Sequence, residues 1–517
     1  MGGFPEWLTK TGEDTYFDLQ LKKKCSRWAF VPEAQVIWHA PETLKGIWDK
    51  LSSWTVGDGE SGAFVQRYWD LVKGTFWSAF FSLLGLGIAI GSFWIHPVLG
   101  GTFLAIWLLL HLISLWTGAG TGKGWIERFW RSFGRAARVD GFLRGIRNRA
   151  AVMTRKYVDI PGVVLFLTGV PIDDTGGGAR GTQIVLELLR RGHLVVFVHK
   201  YPKQESVDLK LDFDQPNLLH FSLAYFDWKA LRWELRHLLE EKPLAAILEF
   251  PFKEFLPIAK DVERKGGEII YDLIDEWNTS LGGDWYSEAV EQTVIELSHV
   301  LVASAPSLVK RLEEASGREV LWMPNAVNLR LFNRSQVFSY PKDLPPGSPK
   351  ILYIGALWGE WFDWELLQKI AQAYPGGIVA VIGDYRGQCP FIEPNLRFLG
   401  LKPQTSLPAY LQHSDVAIIP WKFEPITQAT SPLKIFEYLA MGTPVVAPKL
   451  QPLEGIPYLF LSQDHQSFLG NIEHALSCEM EETVLEAFLR ENSWQARIDQ
   501  LATRAAHFKE SVKAFAD

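Results

Sequence analysis

Three observations predict an α/β chain with two domains, each built on a parallel sheet, behind an N-terminal α-helical transmembrane hairpin. From residue 157 onward, short apolar runs of strand character alternate with helix-like stretches, the pattern of parallel sheets covered by helices. Near the end, Ser431-Pro-Leu-Lys-Ile-Phe-Glu-Tyr-Leu-Ala-Met-Gly-Thr-Pro-Val-Val446 reads as a helix, a stop and a buried strand. Earlier, Phe76–Ile95 carries no charge, and Val98–Trp116 has His111 as its one titratable side chain. Both runs are long enough to cross a bilayer.

The 517 residues suffice for two to four domains. A net charge of −7 does not suggest a nucleic-acid binder. The three cysteines, Cys25, Cys389 and Cys478, are too scattered for a disulfide framework or a zinc cluster and fit a reducing compartment. Of the 22 tryptophans, several cluster near the apolar runs, where membrane-interface anchoring uses them. The first residues are polar and charged, so no secretory signal peptide is expected.

Residues 1–64 hold Gly12-Glu-Asp-Thr15, a helix-like Tyr16–Lys24 and a strand-like Trp28-Ala-Phe-Val-Pro-Glu-Ala-Gln-Val-Ile-Trp38. This segment resembles the last third of a family 2, GT-A-fold glycosyltransferase, in which a G-E-D motif precedes a V-P-E-A-x-V strand. The resemblance makes Asp14 the catalytic base. That family's nucleotide-binding half and metal-binding D-x-D lie upstream of this motif, and nothing in the chain replaces them. A base without a donor site cannot act alone. The segment is therefore expected to be a remnant, or a sign of a truncated gene model, rather than a second active site; a small folded cap without chemistry is the alternative.

Residues 65–120 are expected to form the hairpin, broken at His96-Pro97 and tolerant of Gly85, Gly87, Gly91, Gly100 and Gly101. A buried hairpin in a soluble core is the other reading. Arg67 and Lys73 precede the hairpin, and Lys123, Arg128, Arg131, Arg135, Arg138 and further basic residues follow it. The turn between the runs has no Lys or Arg, so the positive-inside rule places both ends in the cytoplasm. Across 121–156, Trp125, Ile126, Phe129, Trp130 and Phe133 interleave with the basic residues. That pattern suits a helix lying on an anionic membrane surface, or else a solvated linker.

Residues 157–338 open with the buried strand Gly162–Thr168 and the loop Gly169–Gly181, followed by an amphipathic helix over Thr182–Arg191. Gly177 and Gly178 let backbone approach a ligand, and Arg180 adds a cation, so the loop suits a diphosphate or an acceptor; a merely flexible loop fits the residues as well. Leu244–Glu249 and Glu268–Leu273 are further strands. The second runs into Tyr271-Asp-Leu-Ile-Asp-Glu-Trp277 and puts Asp275 and Glu276 where α/β sheets bind ligands. The run resembles a Y-D-x-x-D segment of bacterial polysaccharide glycosyltransferases, which implies that one of these carboxylates contacts the acceptor or helps catalysis; the residues alone equally allow either to cap the next helix.

Ser339–Pro349 reads as a linker, and residues 350–492 as the second α/β domain. Its first strands end at Gly355 and Gly383. In the 431–446 run, Ser431 suits a helix cap, Pro432 a first turn, and Gly442 a stop. Leu433 starts the apolar face, and Lys434 and Glu437 are neighbours on the helix surface. The electropositive helix N-terminus and Lys434 suit a diphosphate, and Glu437 can accept two hydrogen bonds from a ribose diol. An ordinary helix, turn and strand with a surface Lys–Glu pair is the bland alternative. Residues 493–517 read as a helix crossing back to the first domain.

This run resembles the nucleotide-sugar signature of family 4-like glycosyltransferases, especially a bacterial polysaccharide branch reading S-P-L-K-x-x-E-Y-L-A-x-G-x-P-V-V. The resemblance covers roughly residues 160–480 and implies a GT-B fold, two Rossmann-like domains facing a cleft. It implies that Glu437 binds the ribose hydroxyls and that Lys434 lies near the diphosphate. It also places the Gly177–Arg180 loop in the cleft, and matches Tyr271–Asp275 and Leu321–Asn328 to family segments. The family's second Glu, eight residues before the first, is Ala429 here, and Ala326 and Asn328 stand for a usual Gly and Asp. The diphosphate-holding Arg and Lys of classical relatives are missing from the Gly355 loop, which leaves Arg386 as a helper.

The expectation is a glycosyltransferase on the cytoplasmic face of the cytoplasmic membrane. It would need no metal or other cofactor, take a UDP- or GDP-linked sugar, and transfer to a lipid-linked or polysaccharide acceptor. A membrane scaffold that keeps the fold without chemistry is the rival reading.

Overall fold

A computed structural model describes residues 7–9, 11, 17, 41–62, 65–117, 124–203, 215–279, 281–357, 361–383, 389–422, 432–450 and 453–508. The Tyr16–Lys24 helix and Trp28–Trp38 strand expected from the sequence lie outside them, apart from Phe17. The chain divides into two units. One comprises residues up to Val158 together with 229–240; the other comprises 159–228 and 241 onward.

The first unit is helical. Val65–Ile95 and Pro97–Thr117 form a hairpin about His96, and Trp107 Nε1 donates to the Ser82 carbonyl at 2.9 Å. Tyr68–Ile95 has mean hydropathy 1.8 and is almost wholly exposed, which makes it long and apolar enough to cross a membrane by length and composition. Pro97–Leu109 is a shorter apolar stretch.

A helix over Leu44–Ser61, not anticipated from the sequence, packs along the helix Gly124–Lys156. Glycines make the seam: a Cβ on Gly141 would overlap the Ser52 carbonyl, and one on Gly145 the Val56 carbonyl. The basic segment is therefore no freely solvated linker. Phe133 sits edge-on to Trp48 at 5.3 Å, and Ala137, Phe142, Val152 and Met153 are buried. From Phe133 onward one side of the helix is thus covered by protein, while Trp130 and Leu143 remain exposed.

The second unit holds two parallel sheets. The first contains β1 (Val163–Thr168), β2 (Leu194–His199), β3 (Leu218–Ser222), β4 (Leu244–Leu248), β5 (Glu268–Leu273), β6 (Val300–Ala303) and β7 (Leu321–Trp322), ordered β3-β2-β1-β4-β5-β6-β7. The second contains β8 (Lys350–Ile354), β9 (Ile378–Ile382), β10 (Leu396–Phe398), β11 (Val416–Ile418), β12 (Val445–Pro448) and β13 (Leu459–Ser462), ordered β10-β9-β8-β11-β12-β13. β1, β2, β4 and β9 are buried along their whole length, as strands covered by helices on both faces must be. The helix Trp494–Arg504 supplies Trp494, Ile498 and Leu501 to the core around β1 and β2. Where the chain passes between the sheets, Val327 pairs with Ser493.

Candidate functional site

In the second sheet the strand order reverses between β8 and β11, and α/β sheets bind ligands beyond the C-terminal ends of strands at such a point. β8 runs into Gly355 (φ 155°) and β9 into Gly383 (φ 152°), conformations that glycine alone adopts readily. The two backbones touch: a Cβ on Gly383 would overlap the Gly355 carbonyl oxygen, and one on Gly355 would overlap Lys434 Nζ.

The helix Leu433–Ala440 presents Lys434 from its first turn. Its Nζ lies 5.0 Å from the Tyr353 ring centroid and 5.1 Å from that of Trp421. Bare backbone, an ammonium group and a helix N-terminus thus converge, a combination that suits a diphosphate. Pro432 is the boundary residue of this helix rather than part of its first turn. Leu433 is half-buried against the first domain's core.

One turn on, Glu437 is 4% exposed and accepts from Gln404 Nε2 at 2.6 Å on Oε1. Burial pushes its carboxyl up to about 7, while the Gln404 hydrogen bond and the Lys434 charge pull the other way. Gln404 Oε1 in turn accepts from Gln183 Nε2 at 2.7 Å, and the same Gln183 amide donates to the Gly177 carbonyl at 2.7 Å.

The first sheet reverses between β1 and β4, and its polar cluster sits at the matching ends. Thr168 Oγ1 donates to Glu249 Oε2 at 2.6 Å; burial, reinforced by Asp272, pushes the Glu249 carboxyl up to about 8. Arg180, expected to meet an anion, instead forms a two-point ion pair with Asp272, both bonds at 2.9 Å. It also donates to Asn325 and to the Met323 carbonyl. Its guanidinium is spent on joining the helix Arg180–Arg190 to β5.

Asp275 and Glu276 part company. Glu276 is ion-paired to Arg311 at 3.0 Å, and Arg311 also holds Glu291 at 2.8 Å. Asp275 is half-buried, and its side chain has no hydrogen bond among the described residues. Burial and the neighbouring Glu276 charge push it up to about 6. Neither caps a helix: the next α-helix starts at Glu288 behind Ser287.

The structure thus brings Gly355, Gly383 and Lys434 together and links Gly177 to Glu437 through two glutamines. Gly178 is half-buried beside Gly177. Ser431, Arg386 and Asp14 lie outside the described residues. Sequence reasoning missed Glu249, Gln183, Gln404 and the Tyr353–Trp421 pair. Glu249 follows the strand Leu244–Leu248 directly, a position that could have marked it.

Comparison with known proteins bears on this site. Residues 348–477 match the family described as Glycosyl transferases group 1. TuaH of Bacillus subtilis (strain 168), which bears the name of a teichuronic acid biosynthesis glycosyltransferase, is 27% identical over 262 residues, 45% of this chain. The match spans 66% of that relative, just short of two thirds of its length. Solved structures overlap at TM-scores below 0.5, so they stand as comparisons alone. Anabaena HepE in complex with UDP and glucose gives 0.43 at 16% identity, over 68% of this chain and 99% of its own. A UDP-forming trehalose-phosphate synthase from Burkholderia xenovorans gives 0.46 at 13%, over 67% and 98%. The Gly355, Gly383, Lys434 and Glu437 cluster lies within the residues, 348–477, that match glycosyl transferases group 1.

Proposed function

We propose that the chain is a membrane-tethered glycosyltransferase that moves a sugar from a UDP- or GDP-linked donor to a lipid-linked or polysaccharide acceptor. The observation that carries this reading is the convergence of Lys434, Gly355 and Gly383 at the reversal of the second sheet, with Glu437 one turn beyond. Lys434 and the helix N-terminus neutralise the charge that grows on the departing diphosphate. Glu437 holds the ribose diol. Asp275, a carboxylate with a raised pKa at the end of β5, takes the acceptor hydroxyl proton. The acceptor class rests on the apolar helix Tyr68–Ile95 and on the teichuronic acid name borne by TuaH.

The test is nucleotide release by the full chain in lipid across a panel of UDP- and GDP-sugars, beside Glu437→Ala and Lys434→Ala. Release is expected with one donor and is strongly reduced in both variants. A folded chain that releases no nucleotide from any donor overturns the reading.

A further inference from the structure

We propose that Gln183 and Gln404 form an amide relay that carries the position of the first domain into the donor grip, making Gln183 a donor-positioning residue on the acceptor-side domain. The inference rests on the reading of Glu437 as the ribose-binding carboxylate.

The chain of bonds is continuous. Gln183 lies on the helix Arg180–Arg190 of the first domain, and Gln404 in the one-turn helix Gln404–Ser406 of the second. Gln183 Nε2 donates to Gln404 Oε1, and Gln404 Nε2 donates to Glu437 Oε1. Gln183, Gln404 and Glu437 are 1%, 2% and 4% exposed, so water does not substitute for any of these partners.

The orientation of Gln183 is fixed from both ends. Its amide nitrogen serves two acceptors, the Gly177 carbonyl and Gln404 Oε1, while its own oxygen accepts from Asn328 Nδ2 at 3.3 Å. A flipped amide would set oxygen against oxygen at both short bonds and nitrogen against the Asn328 amide. An ionised aspartate at 328 could not make the Asn328 bond, which gives this asparagine a purpose in place of the Asp seen in the family pattern. The turn Asp174–Gly177 also packs on the turn Gln404–Ser406, so the relay sits in a formed contact rather than bridging a gap.

The consequence is mechanical. Glu437 Oε1 is held by Gln404, which orients the carboxylate for the ribose. Gln404 is itself anchored by a residue of the other domain. When that domain withdraws, the Gln183–Gln404 bond breaks, Gln404 loses its anchor, and the carboxylate loses its orientation and a partner that favours its charge. Donor affinity therefore reads the position of the acceptor-side domain.

The test is calorimetric binding of UDP and GDP to the full chain in detergent from pH 5.5 to 8.5, for wild type, Gln404→Ala, Gln183→Ala, Gln183→Met, the Gln183→Met/Gln404→Ala double variant and Glu437→Ala. Gln183→Met nearly keeps the side-chain volume and covers the case in which alanine leaves a hole. The relay predicts about ten-fold weaker nucleotide binding for Gln404→Ala, the scale of one bond to a charged group. It predicts a smaller loss for Gln183→Met, an upward move of the pH midpoint in both, and a double variant no weaker than Gln404→Ala. In turnover Gln404→Ala and Gln183→Met raise KM for the donor and leave kcat at saturating donor near wild type.

Wild-type affinity and pH midpoint in Gln183→Met, with binding abolished in Glu437→Ala, overturn the relay and leave the donor site standing. Wild-type binding by Glu437→Ala, or no binding of either nucleotide by the wild-type chain, overturns the donor reading and the relay with it.

Discussion

Gly383 packs against the Gly355 carbonyl so closely that no Cβ fits between them. Each glycine ends a neighbouring strand, and each has a φ that strains other residues. Gly383→Ala should cost about 2 kcal/mol or more from strain and overlap together. It should also raise KM for the donor by pushing the Gly355 loop toward Lys434. Thermal unfolding and donor kinetics on one preparation check both effects.

Donor affinity should depend on pH through Glu437. In the proposed site ribose hydroxyls donate to the ionised carboxylate, and burial pushes this carboxyl up to about 7. Binding should strengthen as pH rises through about 7 and weaken below it, and Glu437→Gln should flatten the profile. A pH-independent wild-type affinity would count against the ribose role.

Acid should loosen the docking of the last helical segment. His193 and His507 stack at 5.5 Å in a buried pocket, and burial holds them down at about 4 and about 3, below the ordinary 6.5. The unfolded chain takes up protons near 6.5 that the folded chain refuses. The stabilising contribution of this pair is therefore complete above 6.5 and falls as pH drops from there toward 4. Melting temperature should fall between pH 7.5 and 5, and His507→Phe should lose less over that interval than wild type.

In the helical unit, Gly145→Val should separate the helices Leu44–Ser61 and Gly124–Lys156, because the Val56 carbonyl occupies the space the new side chain needs. The expected cost is about 1–3 kcal/mol or more. Limited proteolysis should then cut within 44–156 sooner than in wild type, while nucleotide release by the rest of the chain persists.

Much of the architecture could be read in advance, for a physical reason. Strands buried on both faces are unbroken apolar runs, and Val163–Thr168 and Ile378–Ile382 announce themselves that way. The end glycines and Lys434 were visible because backbone approach and a helix N-terminus leave local marks. The helix Leu44–Ser61 was not visible, since glycine and serine rather than large apolar side chains make its contact face. Arg180 read as a free cation because its partner Asp272 lies on a strand far along the chain. The Gln183–Gln404 pair left no trace for the same reason: two amides brought together only by folding have no spacing to recognise.

The core around β1 is closed by Trp494, Ile498, Leu501 and Phe508, which follow the whole second domain in the chain. Synthesis therefore begins the first domain early and completes it late. While the ribosome makes residues 339–492, the face of β1 and β2 that these side chains cover stays open, and the second domain can close its sheet first. In the living cell, the order in which the two sheets appear in the chain is the reverse of the order in which they can be finished.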